Sequence, residues 1–345
     1  MLPPQISKFG PLLILGGGIL MAGIISVLGA NTLADQLTKI FPYAILALAL
    51  NVVVGYTGML HLGGMAFIAI GVYVTAIGIH PTLYPFGWHS LVALVLSVLI
   101  GSAFGLLLGA PTLRLRGDYL ALVTLGFGEM VKDTLSYLIS VTQGSSGISP
   151  LKFKNPPAIY NDANQTAGWD ISMYFISLVL LVIVLWLLGN IERSRLGRAW
   201  IAVREDELAA SSMGLNPARL KLTAFVLCAA LAGLAGWLFG YTMNGTTTPG
   251  NTFDFNHSVM VLAALILGGL GNRYGVLLGV FLVFGFDQIV IPAIDRELQA
   301  SGVEFQLSKL NYMLYGLALI LMMRFRPEGI LPESRIAHEM HPERA

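Results

Sequence analysis

The chain has 345 residues, of which 55% are hydrophobic and only 11% charged, with a formal net charge of +1 and a mean hydropathy of +0.74. Soluble domains carry about 25% charged residues, so too few polar side chains are present to coat a soluble particle of this size. A soluble enzyme, a nucleic-acid-binding protein and a disordered chain are excluded, and the composition indicates a polytopic protein held in a lipid bilayer. The single cysteine, Cys228, lies in an apolar run, permits no internal disulfide and carries no information on redox compartment.

In a bilayer each span must satisfy its own backbone groups, so long apolar runs read as helices. The first run, 10–29, follows Lys8 and lacks a small-residue cleavage pattern, so it is expected to be a retained span. Further spans are predicted over 40–55, 58–79, 91–110, 118–140, 171–189, 222–243, 256–271, 275–294 and 309–323, about ten in all. The second, eighth and tenth fall short of the roughly 20 residues of a full crossing. Tilted, broken or re-entrant segments, and a total of eight or nine, therefore stay open. The expected fold class is an all-α polytopic membrane protein, with one transmembrane domain over 1–330 and a polar tail over 331–345.

The basic residues orient this topology. With the N-terminus in the cytoplasm, fourteen of the 20 fall on the inside: Lys8, Arg114, Arg116, Arg193, Arg195, Arg198, Arg204, Arg219, Lys221, Arg273, Arg324, Arg326, Arg335 and Arg344. Five fall outside (Lys39, Lys152, Lys154, Arg296 and Lys309), and Lys132 falls within a span. The positive-inside rule favours this orientation, with both termini cytoplasmic, and accounts for Arg114, Arg116, Arg324 and Arg326 as headgroup anchors. Two connections are long. The outer one, 141–170, is rich in Gly, Ser, Asn and Pro, and the inner one, 190–221, carries ten charges. The stretch LGGMAFIAIGVY (62–73) faintly echoes LGGLGNRYGVLLG (267–279), as internal repeats of transporters do.

Several chemistries have no residues to carry them. The chain contains no G-x-x-x-x-G-K-[ST] to cradle nucleotide phosphates and no H-E-x-x-H metal pattern. His338 and His341 flank Glu339 in the polar tail, where solvated side chains are expected, so no metal site is assigned. The glycines at 268, 269, 271 and 275 miss the dinucleotide-binding spacing because Tyr274 occupies the third position, and close helix packing is the expected use. No nucleophile sits with a base, so no catalytic residues are assigned and the chain is not expected to be an enzyme.

The segment 194–216 is the most informative. Residues from about Ala199 to Met213 favour helix, Gly214 suits a helix C-terminus, and Pro217 limits its extension. Trp200, Ile201, Val203, Leu208 and Met213 give it a partly apolar surface. Such a helix either seats in a groove of another protein or lies on the lipid surface. Within the spans, Glu129, Lys132, Asp133 and Asp287 are costly at membrane depth and should face a bundle interior or a wet cavity. Glu129 and Lys132 share a helix face and can pair. They either line a polar path or form a structural ion pair.

The pattern Leu208-Ala209-Ala210-x-x-x-Gly214 resembles the cytoplasmic "EAA" loop of ABC importer permeases. LNVVVGYTGMLHLGGMAF (50–67), LRLRGDYLALVTLGFGE (113–129), LILGGLGNRYGVLLG (265–279) and YGLALILMMRFRPEG (315–329) are similar, in the same order, to the branched-chain amino-acid ABC transporter permease family, and specifically to its M-type subunit. The resemblance covers roughly 40–330. Two positions depart from it. Leu208 stands where the EAA glutamate belongs, with Glu207 one residue early. In the third span, His61 precedes Leu62-Gly63 and Gly64 follows, where the family usually has a serine before the pair and a histidine after it.

The resemblance implies an ABC importer permease in a bacterial inner membrane, paired with a homologous second permease. Two P-loop ATPase subunits would bind from the cytoplasm and a periplasmic binding protein would deliver substrate. The chain itself would hold no cofactor, because ATP would be bound by the ATPase chains. Its ATPase-coupling residues would be Arg198, Glu207, Ala209, Ala210 and Gly214. Candidate pathway residues are His61, Gly63, Gly64, Glu129 and Lys132. The candidate outer mouth is Gly144, Ser145, Ser146 and Gly147, which otherwise form a flexible turn. The expected cargo is a branched-chain or related neutral amino acid, with urea or amides as the alternative. A rival of another class is an ion-coupled secondary transporter using Glu129, Asp133 and Asp287.

Overall fold

The computed structural model describes residues 10–11, 14–20, 31–79, 86–112, 118–148, 167–242, 248–301, 307–326 and 328–331. Much of the expected first span, Lys8, Arg114, Arg116, Lys152, Lys154 and the tail with Arg335, His338, Glu339, His341 and Arg344 lie outside the described residues.

Every regular helix or strand element among the described residues is helical. Helix α1 (Asn31–Leu50) runs on as a π-helical stretch, Asn51–Tyr56. It is followed by α2 (Gly64–Ile79), α3 (Ser90–Thr112), α4 (Asp118–Tyr137) and α5 (Ala167–Arg193). Two short helices, α6 (Arg195–Glu205) and α7 (Glu207–Ser212), lead into α8 (Pro217–Thr242). Then come α9 (Phe255–Gly268), α10 (Arg273–Gly285), a second π-helical stretch (Phe286–Val290), α11 (Ile291–Ala300) and α12 (Asn311–Phe325). Five stretches among the described residues are long and apolar enough to cross a bilayer: Asp35–Tyr56, Ser90–Pro111, Met173–Arg193, Pro217–Thr242 and Arg273–Ala300. Gly64–Ile79 and Phe255–Gly268 are apolar but shorter.

The differences from the sequence reading have local causes. The second span starts well before residue 40 because its polar first turns are helical too, with Lys39 paired to Asp35 one turn back at 2.6 Å. The eighth span does end early, at Gly268, where Gly269 takes φ +118° and leaves the helix. The ninth continues past 294 to Ala300 through its π-helical stretch.

The chain divides into two compact units. One comprises Met1–Asn51, Asp170–Trp186 and Met260–Ala345. Within it α1 packs on α10, and Tyr43 stacks on Phe284 with ring centroids 4.2 Å apart. The buried Asn51 side chain accepts the Gly271 N–H at 3.0 Å. Asn272 caps α10 by accepting the N–H groups of Tyr274 and Gly275, which satisfies donors that a helix start otherwise leaves open.

The other unit comprises Val52–Trp169 and Leu187–Val259. Its centre is the packing of α8 against α2 and α3. Small residues make this contact, as expected where lipid tails give helices no hydrophobic reason to associate. A Cβ on Gly71 would lie 2.5 Å from the Gly233 carbonyl oxygen, and one on Gly236 would lie 2.4 Å from that of Ile68. Ser97 adds buried hydrogen bonds, donating to the Gly71 carbonyl at 3.1 Å and meeting Thr75 Oγ1 at 3.0 Å. Trp237 Nε1 donates to the Ser90 carbonyl at 3.1 Å, and Tyr241 OH to Ser90 Oγ at 2.7 Å.

Candidate functional site

Apart from Asp287, the residues singled out in the sequence as candidate sites fall at two places, both in the second unit. The first is the pair α6–α7. The sequence predicts a single helix from 199 to 213, but Asp206 interrupts it with extended backbone (φ −153°, ψ 111°). Its carboxylate accepts the Leu208 and Ala209 N–H groups at 2.8 and 3.0 Å, so Asp206 ends α6 and caps α7. Ser194 caps α6 in the same way. The expected apolar surface is divided by this break. Trp200 and Val203 turn inward and are buried. Trp200 Nε1 donates to the Leu220 carbonyl at 2.9 Å and lies 3.2 Å from Thr223 Oγ1, which fastens α6 to α8. Leu208 and Met213 remain 76% and 84% exposed.

The candidate coupling residues take different roles around that break. Arg198 is exposed and donates to the Arg193 carbonyl at 2.8 Å. Glu207 pairs with Lys221 at 2.6 Å, tying α7 to the start of α8. Ala209 is exposed and Ala210 buried. Gly214 adopts φ +85° with open space where a side chain would stand, so conformation and not crowding requires glycine there. Arg204, which in the sequence is only one of the topological charges, donates from Nη1 to the carbonyl oxygen of Gly55, at the end of the first π-helical stretch.

The second place is built on α4. His61 is buried, edge-on to Phe225 (4.8 Å between centroids) and 5.9 Å from Phe67. Neither ring nitrogen has a hydrogen-bond partner among the described residues. Leaving such a group buried and unpaired costs about 1–3 kcal/mol, which the packing of the flanking segments must offset. The Leu62 N–H, next along, donates to Thr124 Oγ1 of α4 at 3.1 Å. Gly63 approaches the same turn so closely that a Cβ would lie 2.5 Å from the Thr124 carbonyl oxygen. Gly64 is buried at the start of α2.

Further along α4, Lys132 Nζ pairs with Glu129, and Lys132 also lies within electrostatic reach of Asp133 and Asp254. The QGSSG segment forms a tight, hydrogen-bonded turn. Gln143, Gly144 and Gly147 have φ of 64°, 58° and 65°. Thr142 Oγ1 donates to the Leu135 carbonyl at 2.6 Å and accepts the Gly144 N–H at 3.2 Å. Gly144 is buried, and Ser145 and Ser146 are exposed. The helical turn Pro249–Thr252 packs against both α4 and this turn.

Sequence reasoning missed Asp254. Its carboxylate accepts the His257 N–H at 3.1 Å, lies 2.5 Å from His257 Nδ1 and accepts from Asn256 Nδ2 at 3.0 Å. Partial burial pushes its pKa up, but the hydrogen bonds and charge interaction with His257, and the bond from Asn256, outweigh it and hold the carboxyl below its ordinary range. The available signal was a cap, an aspartate directly before an apolar run.

In the first unit, Asp287 sits in the second π-helical stretch. It accepts hydrogen bonds from Asn311 Nδ2 at 2.8 Å, Tyr315 OH at 3.1 Å and Gln288 Nε2 at 2.9 Å. A costly intramembrane carboxylate is thereby satisfied by α12. No group of metal-ligating side chains occurs among the described residues.

Residues 32–323 match the family described as branched-chain amino acid transport system / permease component. The chain is 40% identical over 321 residues to the high-affinity branched-chain amino acid transport system permease protein LivM of Salmonella typhimurium, a match covering 87% of this chain and 70% of that protein. It is 41% identical over 320 residues to LivM of Escherichia coli K12, with the same coverage. To the permease protein LivH of Escherichia coli K12 it is 28% identical over 294 residues, 84% of this chain and 91% of that one. No solved structure matches the chain. The relatives are transport permeases and not enzymes, and the apolar helices suit a multi-pass membrane protein. The chain belongs to the branched-chain amino acid permease family of ABC importers, in its M type.

Proposed function

We propose that this subunit forms half of an inner-membrane pathway that imports branched-chain amino acids at the expense of ATP. The names of its relatives support the cargo, and the similarity to both LivM and LivH supports a homologous second permease as its partner. Both termini are cytoplasmic in this reading, by the distribution of basic residues. Two ATPase subunits hold the ATP, and this chain binds no cofactor. One of them seats on α6–α7, and a periplasmic binding protein delivers substrate at the opposite end, near 144–147. Glu129 and Lys132 lie between the two ends along α4.

The observation that carries the coupling role is the pairing of exposed Leu208 and Met213 with buried, hydrogen-bonded Trp200. A helix pair lashed to α8 by one apolar residue, while presenting others outward, suits the transmission of force from a docked partner. The test is Leu208→Asp in the full assembly. Its side chain is exposed, so the fold is retained. Co-purification of the ATPases and leucine uptake are expected to fall about tenfold or more, the effect of losing ~1.4 kcal/mol of docking. Unchanged co-purification and uptake overturn the coupling role.

A further inference from the structure

Beyond the docking helices themselves, a route leads from α6 into the membrane-embedded part of the second unit. Arg204 projects from the last turn of α6 and donates to the carbonyl oxygen of Gly55. The same side chain packs on Gly58, where a Cβ would lie 3.1 Å from Arg204 Cγ and the backbone has φ +70°. The contacted segment is itself closed on the preceding turn, since the Met59 N–H and Thr57 Oγ1 both donate to the Val53 carbonyl, at 3.1 and 2.6 Å. Three residues on, the Leu62 N–H is held by Thr124 Oγ1, and Gly63 lies against the Thr124 carbonyl. Between these fixed points His61 is buried with both ring nitrogens unpartnered among the described residues. The segment is thus tied at one end to α6 and at the other to α4, the helix bearing Glu129 and Lys132. A π-helical turn precedes it, an arrangement frequent at functional sites.

We propose that Arg204 is the positioning residue through which displacement of α6–α7 moves the 55–63 segment and, through Thr124, α4. The proposal rests on the coupling role of α6–α7. It adds a route that leaves the loop sideways, beside the covalent connections to α5 and α8. A guanidinium is well suited to such a link, because it cannot deprotonate and its planar fork holds a carbonyl in a fixed direction.

Hydrogen–deuterium exchange on the complete importer, with and without a non-hydrolysable ATP analogue, tests the route in the native chain and in Arg204→Gln. In the native chain the nucleotide is expected to alter exchange at 195–215 and also at the Leu62 amide and 121–125. In Arg204→Gln the change is expected to stay at 195–215, and leucine imported per ATP hydrolysed to fall about tenfold with assembly intact. Should Arg204→Gln fail to assemble, Arg204→Lys, which keeps the charge and reach but not the planar fork, and Gly58→Ala, which disturbs the same contact, take its place and are expected to lower that ratio more weakly. A native response confined to 195–215, or a variant ratio equal to the native one, overturns the proposal. A fall in assembly and uptake at an unchanged ratio overturns it too, because it assigns Arg204 a structural role alone. No response at 195–215 in the native chain refutes the coupling role, and the proposal falls with it.

Discussion

Small side chains decide the core of the second unit. Gly71, Gly233 and Gly236 let the backbones of α2, α3 and α8 touch, with a Cβ on Gly233 falling 2.4 Å from the Ser97 carbonyl oxygen. That oxygen belongs to backbone and cannot swing aside. A Cβ on Gly236 meets another backbone oxygen, that of Ile68 on α2, at 2.4 Å, so Gly236→Val forces α2 and α8 apart, and the expected loss is about 1–3 kcal/mol, the usual cost of overpacking. A lower thermal midpoint of the detergent-solubilised protein, followed by tryptophan fluorescence, checks this. By contrast Gly214→Ala meets no neighbour, and only its φ of +85° opposes the change. Sequence marks Gly214 as a helix end, but the demand for glycine at 236 comes from a helix more than a hundred residues away.

At the level of elements, hydropathy locates most helices, because the bilayer imposes one period and one approximate length. It also marks the amphipathic 194–216 segment and its end at Gly214. It does not show the break at Asp206: the residue is charged on a charged face, and only its hydrogen bonds to Leu208 and Ala209 reveal a cap. Nor does it show the two π-helical stretches, Asn51–Tyr56 and Phe286–Val290, which fall inside segments that hydropathy reads as ordinary spans. Of the candidate site residues, Glu129 and Lys132 were legible as a pair from their spacing. The burial of His61 and the reach of Arg204 to Gly55 were not, since both depend on tertiary contacts.

Asp254 shows what a cap adds at this level. It holds the start of α9 through the His257 N–H and keeps its carboxyl below the ordinary range. A group whose pKa is lower when folded stabilises the fold above its unfolded value, about 3.9. That contribution fades as the pH drops through the lower, folded value. Stability of the native protein is thus expected to decline on acidification below about pH 4. Asp254→Asn keeps an acceptor for the His257 N–H and removes this part of the decline. Melting curves of the two proteins between neutral and acidic pH measure the difference, and parallel curves refute the assignment.

For the whole molecule, orientation in the bilayer links composition to mechanism. Basic residues cluster in 190–221, and few lie near the turn 143–147. In the proposed reading, the positive-inside rule puts the cluster in the cytoplasm, within reach of an ATPase docking at Leu208 and Met213, and the turn on the opposite side. The chain offers a convenient chemical background for testing this, because its one thiol, Cys228, is buried, and a thiol in apolar surroundings is inert towards alkylation. Ser145 and Ser212 are both exposed, and serine to cysteine changes only one atom. In intact cells a membrane-impermeant maleimide is expected to label Ser145→Cys and spare Ser212→Cys. After permeabilisation it should label both, and the native chain in neither condition. The reverse pattern would put α6–α7 outside, beyond the reach of any cytoplasmic ATPase. Labelling of both in intact cells would put the two positions on the same side of the membrane and refute the proposed orientation.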